Sequence, residues 1–217
     1  MIKSSAYICL TVLDYLHLNM GSKDRIQRLK ESTKQNILDA ALQIAKEEGW
    51  QALSMRKIAD AIEYTAPIIY EYFTNKEGIL LELTKDGYRI LGKAIEIARD
   101  QQSTPEKKLE AMWIAYWNFA FQYKEYYQIM FGVDMICCEM KKTLPESERV
   151  TNSFNQLIEE LITITPTAEL ICRKYYTFWS IIHGLISINL VQKGTNEDMN
   201  QHILKDAING IIKSIND

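Results

Sequence analysis

"LSMRKIADAIEYTAPIIYEYFTNKEGIL", residues 53–80, is the stretch on which the fold turns. Ser54 stands where a helix cap belongs, and Ile58, Ala59 and Ile62 share one face of the short helix that follows it. Thr65 opens a second short helix, in which Pro67 is tolerated because it lies in the first turn. Asn75 caps a third, much longer one, with Ile79, Leu80, Leu83, Ile90, Leu91, Ala94 and Ala98 on a single stripe. Two-turn helices are marginal alone, so the first two must be held by packing against longer neighbours.

The upstream neighbour is legible. From Ser32 a helical period places Ile37, Leu38, Ala41, Ile44 and Ala45 together, and Gly49 sits where a C-terminal glycine ends a helix. Before it, from Ser22 to Lys34, five basic residues stand against two acids, the charge of an arm that can follow a phosphate backbone. Two short helices joined by a tight turn on a three-helix head make a helix-turn-helix, whose second helix enters the major groove of DNA. In that arrangement Thr65, Ala66 and Pro67 form a small tip that can approach bases. Tyr70 can bond a phosphate, and Phe73 turns inward. Lys76, in the first turn of the next helix, can meet a phosphate together with backbone N–H groups. The expected DNA-binding residues are Lys34, Ser54, Met55, Arg56, Thr65, Ala66, Pro67, Ile69, Tyr70 and Lys76.

The same stretch closely resembles the DNA-binding signature of the TetR family of bacterial transcriptional regulators. The family pattern runs T/S-x-R-x-I-A, a turn, then Y-x-Y/H-F-x-x-K-x-x-L. It is met here by Ser54, Arg56, Ile58, Ala59, Tyr70, Tyr72, Phe73, Lys76 and Leu80. One departure is Glu63-Tyr64-Thr65 where the family has Gly-Val-Ser, which bears on turn geometry and base preference. Farther on, Trp179, His183 and Gly184 are similar to the W-x-x-x-H-G element that names a subgroup of the family.

The remainder reads as more helices. A fifth opens after "RDQQSTPEKK", where Ser103 and Glu106 have capping-box spacing and Pro105 fits the first turn. It carries Met112, Trp113, Tyr116, Trp117, Phe119 and Phe121, so it belongs at the centre of a bundle. "YKEYYQIMFG" is a short sixth, "LPESERV" opens a seventh, and "AELICRKYYTFWSIIHGLISINLVQK" is a long eighth. Asn196 caps a ninth. The expected fold is therefore all-α, about nine helices. Residues 1–29 form a leader and basic arm, 30–78 the helix-turn-helix head, and 79–217 a bundle for ligand binding and dimerisation. The apolar leader, residues 1–19, is either disordered or the product of a start assigned upstream of Met20. Its Asp14 and His17 interrupt it, and it is too short to span a membrane.

An effector pocket lined by Trp113, Tyr116, Trp117, Phe121, Met130 and Phe178 is expected, since aromatic walls suit a small hydrophobic molecule. A two-fold dimer is expected through the last two helices, using Trp179, Ile182, His183, Ile186, Leu190, Leu204, Ile208 and Ile211. His183 reads either as a satisfied core or interface histidine or as a ligand sensor. Cys137 and Cys138 read as small packed side chains or as a redox pair.

The whole-chain numbers exclude other classes. A net charge of −3 over 217 residues argues against a protein that coats nucleic acid, though not against one basic head on an acidic body. Four cysteines without zinc-ligand spacing fit a reducing cytoplasm and offer no metal site. No G-x-S-x-G elbow, Walker loop, H-E-x-x-H or paired Glu-x-x-His occurs, so neither an enzyme nor a cofactor is expected. The expectation is a DNA-binding regulator, a repressor on a near-palindromic operator of double-stranded DNA, released by a small hydrophobic effector. The alternative is a helical small-molecule-binding or adaptor protein whose head no longer binds DNA.

Overall fold

The computed structural model describes residues 21–132, 144–192 and 196–216. The leader and the Cys137–Cys138 pair lie outside them. The described residues form nine α-helices and no strand: α1 (Ser22–Glu48), α2 (Met55–Ala61), α3 (Ala66–Tyr72), α4 (Lys76–Asp100), α5 (Pro105–Gln122), α6 (Lys124–Phe131), α7 (Pro145–Leu161), α8 (Ala168–Gln192) and α9 (Glu197–Lys213). Short 3-10 turns follow at Trp50–Ala52 and Ser214–Asn216. The all-α class expected from periodicity is the one observed. Contacts divide the chain into two compact units that meet in sequence at Ile79 and Leu80.

In the first unit, α1 buries Ile37, Leu38, Ala41, Ile44 and Ala45, and the short helices close over them with Ile58, Ala59 and Ile69, each at most 1% exposed. The start of α2 is fixed by Ser54, whose Oγ accepts the Lys57 backbone N–H at 3.2 Å. Asn75 does the same for α4, its Oδ1 accepting the Gly78 N–H at 3.0 Å. Thr65 has the extended backbone of a cap, but its hydroxyl makes no cap hydrogen bond. Gly49 ends α1 at φ +83° and ψ 161°, a backbone region open to glycine and strained for residues with a Cβ.

The basic arm runs into the first helix without a break: Ser22–Glu48 is one helix of 27 residues. The segment lacks glycine and proline after Gly21, and Gln27–Glu31 and Gln35–Asp39 side-chain bonds at i,i+4 support it from outside any core. The turn geometry reflects the departure at Glu63, the one described non-glycine residue with positive φ, at 59°. A left-handed residue with a Cβ costs about 1–2 kcal/mol. Glu63→Gly is therefore expected to stabilise the first unit by about 0.5–1 kcal/mol, less than the full strain because glycine gains freedom in the unfolded chain. A urea midpoint that fell instead would show that Glu63 is not strained.

In the second unit, α5 is the centre: Leu109, Met112, Trp113 and Ala120 have no exposure at all. Trp113 is stacked between Phe154 of α7 (4.1 Å, 28°) and Phe178 of α8 (5.5 Å, 13°). The α5 cap is Thr104, not Ser103; its Oγ1 accepts the Lys107 N–H at 3.4 Å, with Pro105 next in line. Asn196 caps α9 through the Met199 N–H at 2.9 Å. Gly87 lets α4 approach α6 closely, since a Cβ there would lie 2.5 Å from Met130 Sδ.

Candidate nucleic-acid interface and ligand cavity

The head sorts its residues into two sets. Ser54, Arg56, Thr65, Pro67 and Tyr70 are exposed, Tyr70 by 54%. Ser54 and Thr65 cap α2 and α3, Arg56 and Pro67 lie in their first turns, and Tyr70 lies one turn further along α3, the helix that a helix-turn-helix sets in the major groove. Ala66 is half-buried. Met55 and Ile69, expected at the DNA, are instead core residues at 8% and 0% exposure. They are the apolar positions that lock α2 and α3 down, and only their flanks reach solvent.

Lys34 and Lys76 are half-buried and already engaged. The Lys34 ammonium sits 5.6 Å from the centre of the buried Phe73 ring, a cation–π contact. Lys76 Nζ donates to the Trp50 carbonyl at 3.3 Å, tying the start of α4 to the turn after α1. An ammonium has three donors, so this bond leaves Lys76 able to reach an anion as well.

The second unit holds a cavity of about 440 Å³. Trp113, Tyr116 and Met130, expected on its wall, are there. Trp117 and Phe178 are not; at 2% and 0% exposure they fill the core. Phe121 is 40% exposed, packed on Trp117, and also absent from the wall. The remaining wall comes from Tyr88 and Leu91 of α4, Phe131 of α6, Ser147, Glu148, Val150, Thr151, Asn152 and Phe154 of α7, and Tyr175, Tyr176 and Trp179 of α8. The α8 aromatics were missed because they flank Phe178 on the same helix, and periodicity alone does not say which flank is hollow.

The W-x-x-x-H-G element has a structural role on this wall. Trp179 and His183 stack at 4.7 Å and 15°. The Trp179 indole N–H donates to the Tyr116 hydroxyl at 3.1 Å, and the Tyr127 hydroxyl pairs closely with His183 Nδ1. Burial pushes the Tyr116 and Tyr127 hydroxyls up and His183 down. All three are therefore neutral near pH 7, and the imidazole tautomer sets which of Tyr127 and His183 donates in the bond between them. Tyr175 is raised by burial to about 12. Among the described residues, the buried Trp113 Nε1 has no hydrogen-bond partner.

The expected dimer residues need the largest correction. Ile182, Ile186, Leu204 and Ile208 have 0% exposure and Ile211 6%, so they belong to the core of one chain. Trp179 lines the cavity, and His183 and Leu190 are half-buried. The apolar side chains that do face outward on these helices are Ile181, Ile188 and Val191 on α8, exposed by 44, 53 and 81%, and Met199 and Ile203 on α9, by 50 and 39%. Gly184 falls between Ile181 and Ile188 on that face and has open space before it. Periodicity alone did not separate the two faces: an apolar residue on α8 or α9 serves either core or surface, and both sides are apolar.

Among the described residues no helix is long and apolar enough to cross a membrane, and no group of three or more His, Cys, Asp or Glu side chains is placed to hold a metal.

Comparison with known proteins agrees with this architecture. Residues 37–83 match the family described as bacterial regulatory proteins, tetR family. The chain is 31% identical over 85 residues to the Bacillus subtilis (strain 168) protein named "Probable HTH-type transcriptional regulator YttP", covering 38% of this chain and 41% of that one. The chain thus spans less than half the length of the curated relative it matches. Among solved structures, the fatty acid degradation regulator FadR from Bacillus halodurans is similar at a TM-score of 0.67 and 16% identity, over 82% of this chain and 94% of that one. A TetR family transcription regulator from Marinobacter aquaeolei VT8 is similar at 0.62 and 17%, over 87% and 97%. RolR in complex with resorcinol is similar at 0.59 and 13%, over 87% and 94%. At these identities the likeness is one of fold.

Proposed function

We propose, from the premise that this chain belongs to the tetR family of bacterial regulatory proteins, that it is a cytoplasmic DNA-binding transcriptional repressor. It acts as a homodimer on a near-palindromic operator and is released by a small molecule that fills the second unit's cavity. The observation that carries the reading is the sorting of the head: buried Met55, Ile58 and Ile69 hold α2 and α3 while the caps Ser54 and Thr65, the first-turn residues Arg56 and Pro67, and Tyr70 one turn further on stay exposed. A head that had lost DNA binding would have no need to keep Arg56 and Tyr70 in solvent on that side.

The coupling runs through α4. It begins in the head at Lys76, continues without a break to Asp100, and supplies Tyr88 and Leu91 to the cavity wall. A ligand that shifts Tyr88 and Leu91 shifts one continuous helix, and a displacement of a few ångströms takes one head of the dimer out of register with its groove. By linkage, bound operator weakens ligand binding by the factor that ligand weakens operator binding.

The direct test is sequencing of DNA fragments captured by the purified protein. A near-palindromic consensus is expected, and retention without any sequence preference would sink the reading. Lys76→Ala is expected to weaken all DNA sequences alike and to flatten the salt dependence by about one unit, the loss of one phosphate contact. It also removes the bond to the Trp50 carbonyl, at about 1 kcal/mol of head stability. A changed base preference with an unaltered salt slope would place Lys76 at the bases instead.

A further inference from the structure

We propose that the cavity of the second unit takes an organic cation, an ammonium or phosphonium carrying apolar groups; this rests on the reading of that cavity as the effector site. Eight of its fifteen wall residues are aromatic, and none is Lys, Arg or His. The single ionisable carboxylate on the wall is Glu148, exposed in the first turn of α7. An anion entering this space would meet that carboxylate and no counter-charge. A cation would meet it together with the electron-rich faces of tyrosine and tryptophan rings.

Ring geometry favours enclosure. Tyr175 and Tyr176 meet edge to face at 76°, and Tyr176 and Trp179 at 90°. Rings at right angles wall off a space on more than one side, whereas parallel rings would stack shut. Burial keeps the Tyr116 and Tyr175 hydroxyls protonated, so they add no negative charge that would demand a metal ion or a polycation. One carboxylate suits one positive charge.

A neighbouring depression shares Tyr88 and Val150 with the cavity and carries Arg89, Lys93 and Arg149. Arg89 there is held between Asp86 at 2.6 Å and Glu146 at 2.9 Å, which offsets its charge. An anionic amphiphile, with its head in that depression and its tail among the rings, is thus the rival occupant that the experiment must separate.

The experiment uses the full chain and probes matched in shape. Benzyltrimethylammonium is compared with its uncharged carbon isostere, neopentylbenzene, and tetraphenylphosphonium with tetraphenylborate, by calorimetry and by the shift in melting temperature. The cation of each pair is expected to bind at least about ten-fold tighter, a difference of about 1.4 kcal/mol. Glu148→Gln is expected to reduce that preference several-fold while leaving neopentylbenzene binding unchanged. Tyr176→Leu, at a position 55% exposed, is expected to weaken both cations. Tighter binding of the neutral or anionic member, or no binding of either cation, would overturn the inference. Operator binding is measured with the same compounds. A cation that binds with the expected preference but leaves the operator bound would sink the repressor reading and leave the ligand class standing. Release by neopentylbenzene alone would do the reverse.

Discussion

Trp113→Ala is expected to cost about 3–5 kcal/mol and to lower the melting temperature of the second unit by on the order of 10 °C. The side chain has no solvent exposure and is stacked on both faces, by Phe154 and by Phe178. Truncation leaves a void among rings that cannot collapse, because each is fixed by a different helix. It also removes part of the cavity wall, so ligand binding is lost even where the chain stays folded. Trp113→Phe separates the two effects. Its unpaired indole N–H is a burden in the native state, and removing it offsets part of the lost packing. The Phe variant should therefore melt within about 1.5 kcal/mol of the parent. A loss below 1 kcal/mol for the Ala variant would mean that the ring stack is not the centre of the fold.

The second large effect concerns assembly. Ile188→Glu combined with Val191→Glu is expected to give a folded monomer whose operator affinity is about 10²–10³-fold weaker. The reason is that the second head no longer binds as an intramolecular partner of the first. Both side chains are exposed in the single chain, so charge there costs the fold little. Ile182→Glu or Ile208→Glu, at positions of 0% exposure, should instead unfold the second unit, because a carboxylate would be buried without a partner. Light scattering and melting curves on the three variants distinguish the cases. A double variant that remained dimeric would move the interface away from α8, and a parent protein that is monomeric at micromolar concentration would remove the dimer altogether.

Both predictions rest on packing that was only partly legible in the sequence. The helix count, the caps at Ser54, Asn75 and Asn196, and the central place of α5 were legible because each depends on local spacing. The exposed head residues Arg56 and Tyr70 were legible because their neighbours Ile58 and Ile69 carry the buried period, yet Ile69 itself was assigned to the DNA. Which side of α8 faces its own bundle was not legible. Ile181, Ile182, Leu185, Ile186, Ile188, Leu190 and Val191 put apolar groups round most of that helix, and the choice is made by the helices it packs against, of which α5 is distant in sequence. The cavity escaped for a related reason. Its polar rim, Ser147, Glu148 and Thr151, lies beside the apolar stripe of α7 and resembles any solvated helix edge until α8 is set opposite.

One further consequence attaches to α1. Every described side chain from Lys23 to Ser32 is exposed, and the core residues of the helix begin only at Ile37. About ten residues, Lys23 to Ser32, thus stand outside the head's core, roughly 15 Å of helix. Isolated helices of this length are marginal in water, so its helicity depends on the continuous helix behind it, anchored where Lys34 meets the Phe73 ring, and on what it lies against. Laid along a duplex it covers about four base pairs. The footprint on each side of an operator would then be wider than the half-site that α3 reads, and the flanks would be protected without being specified.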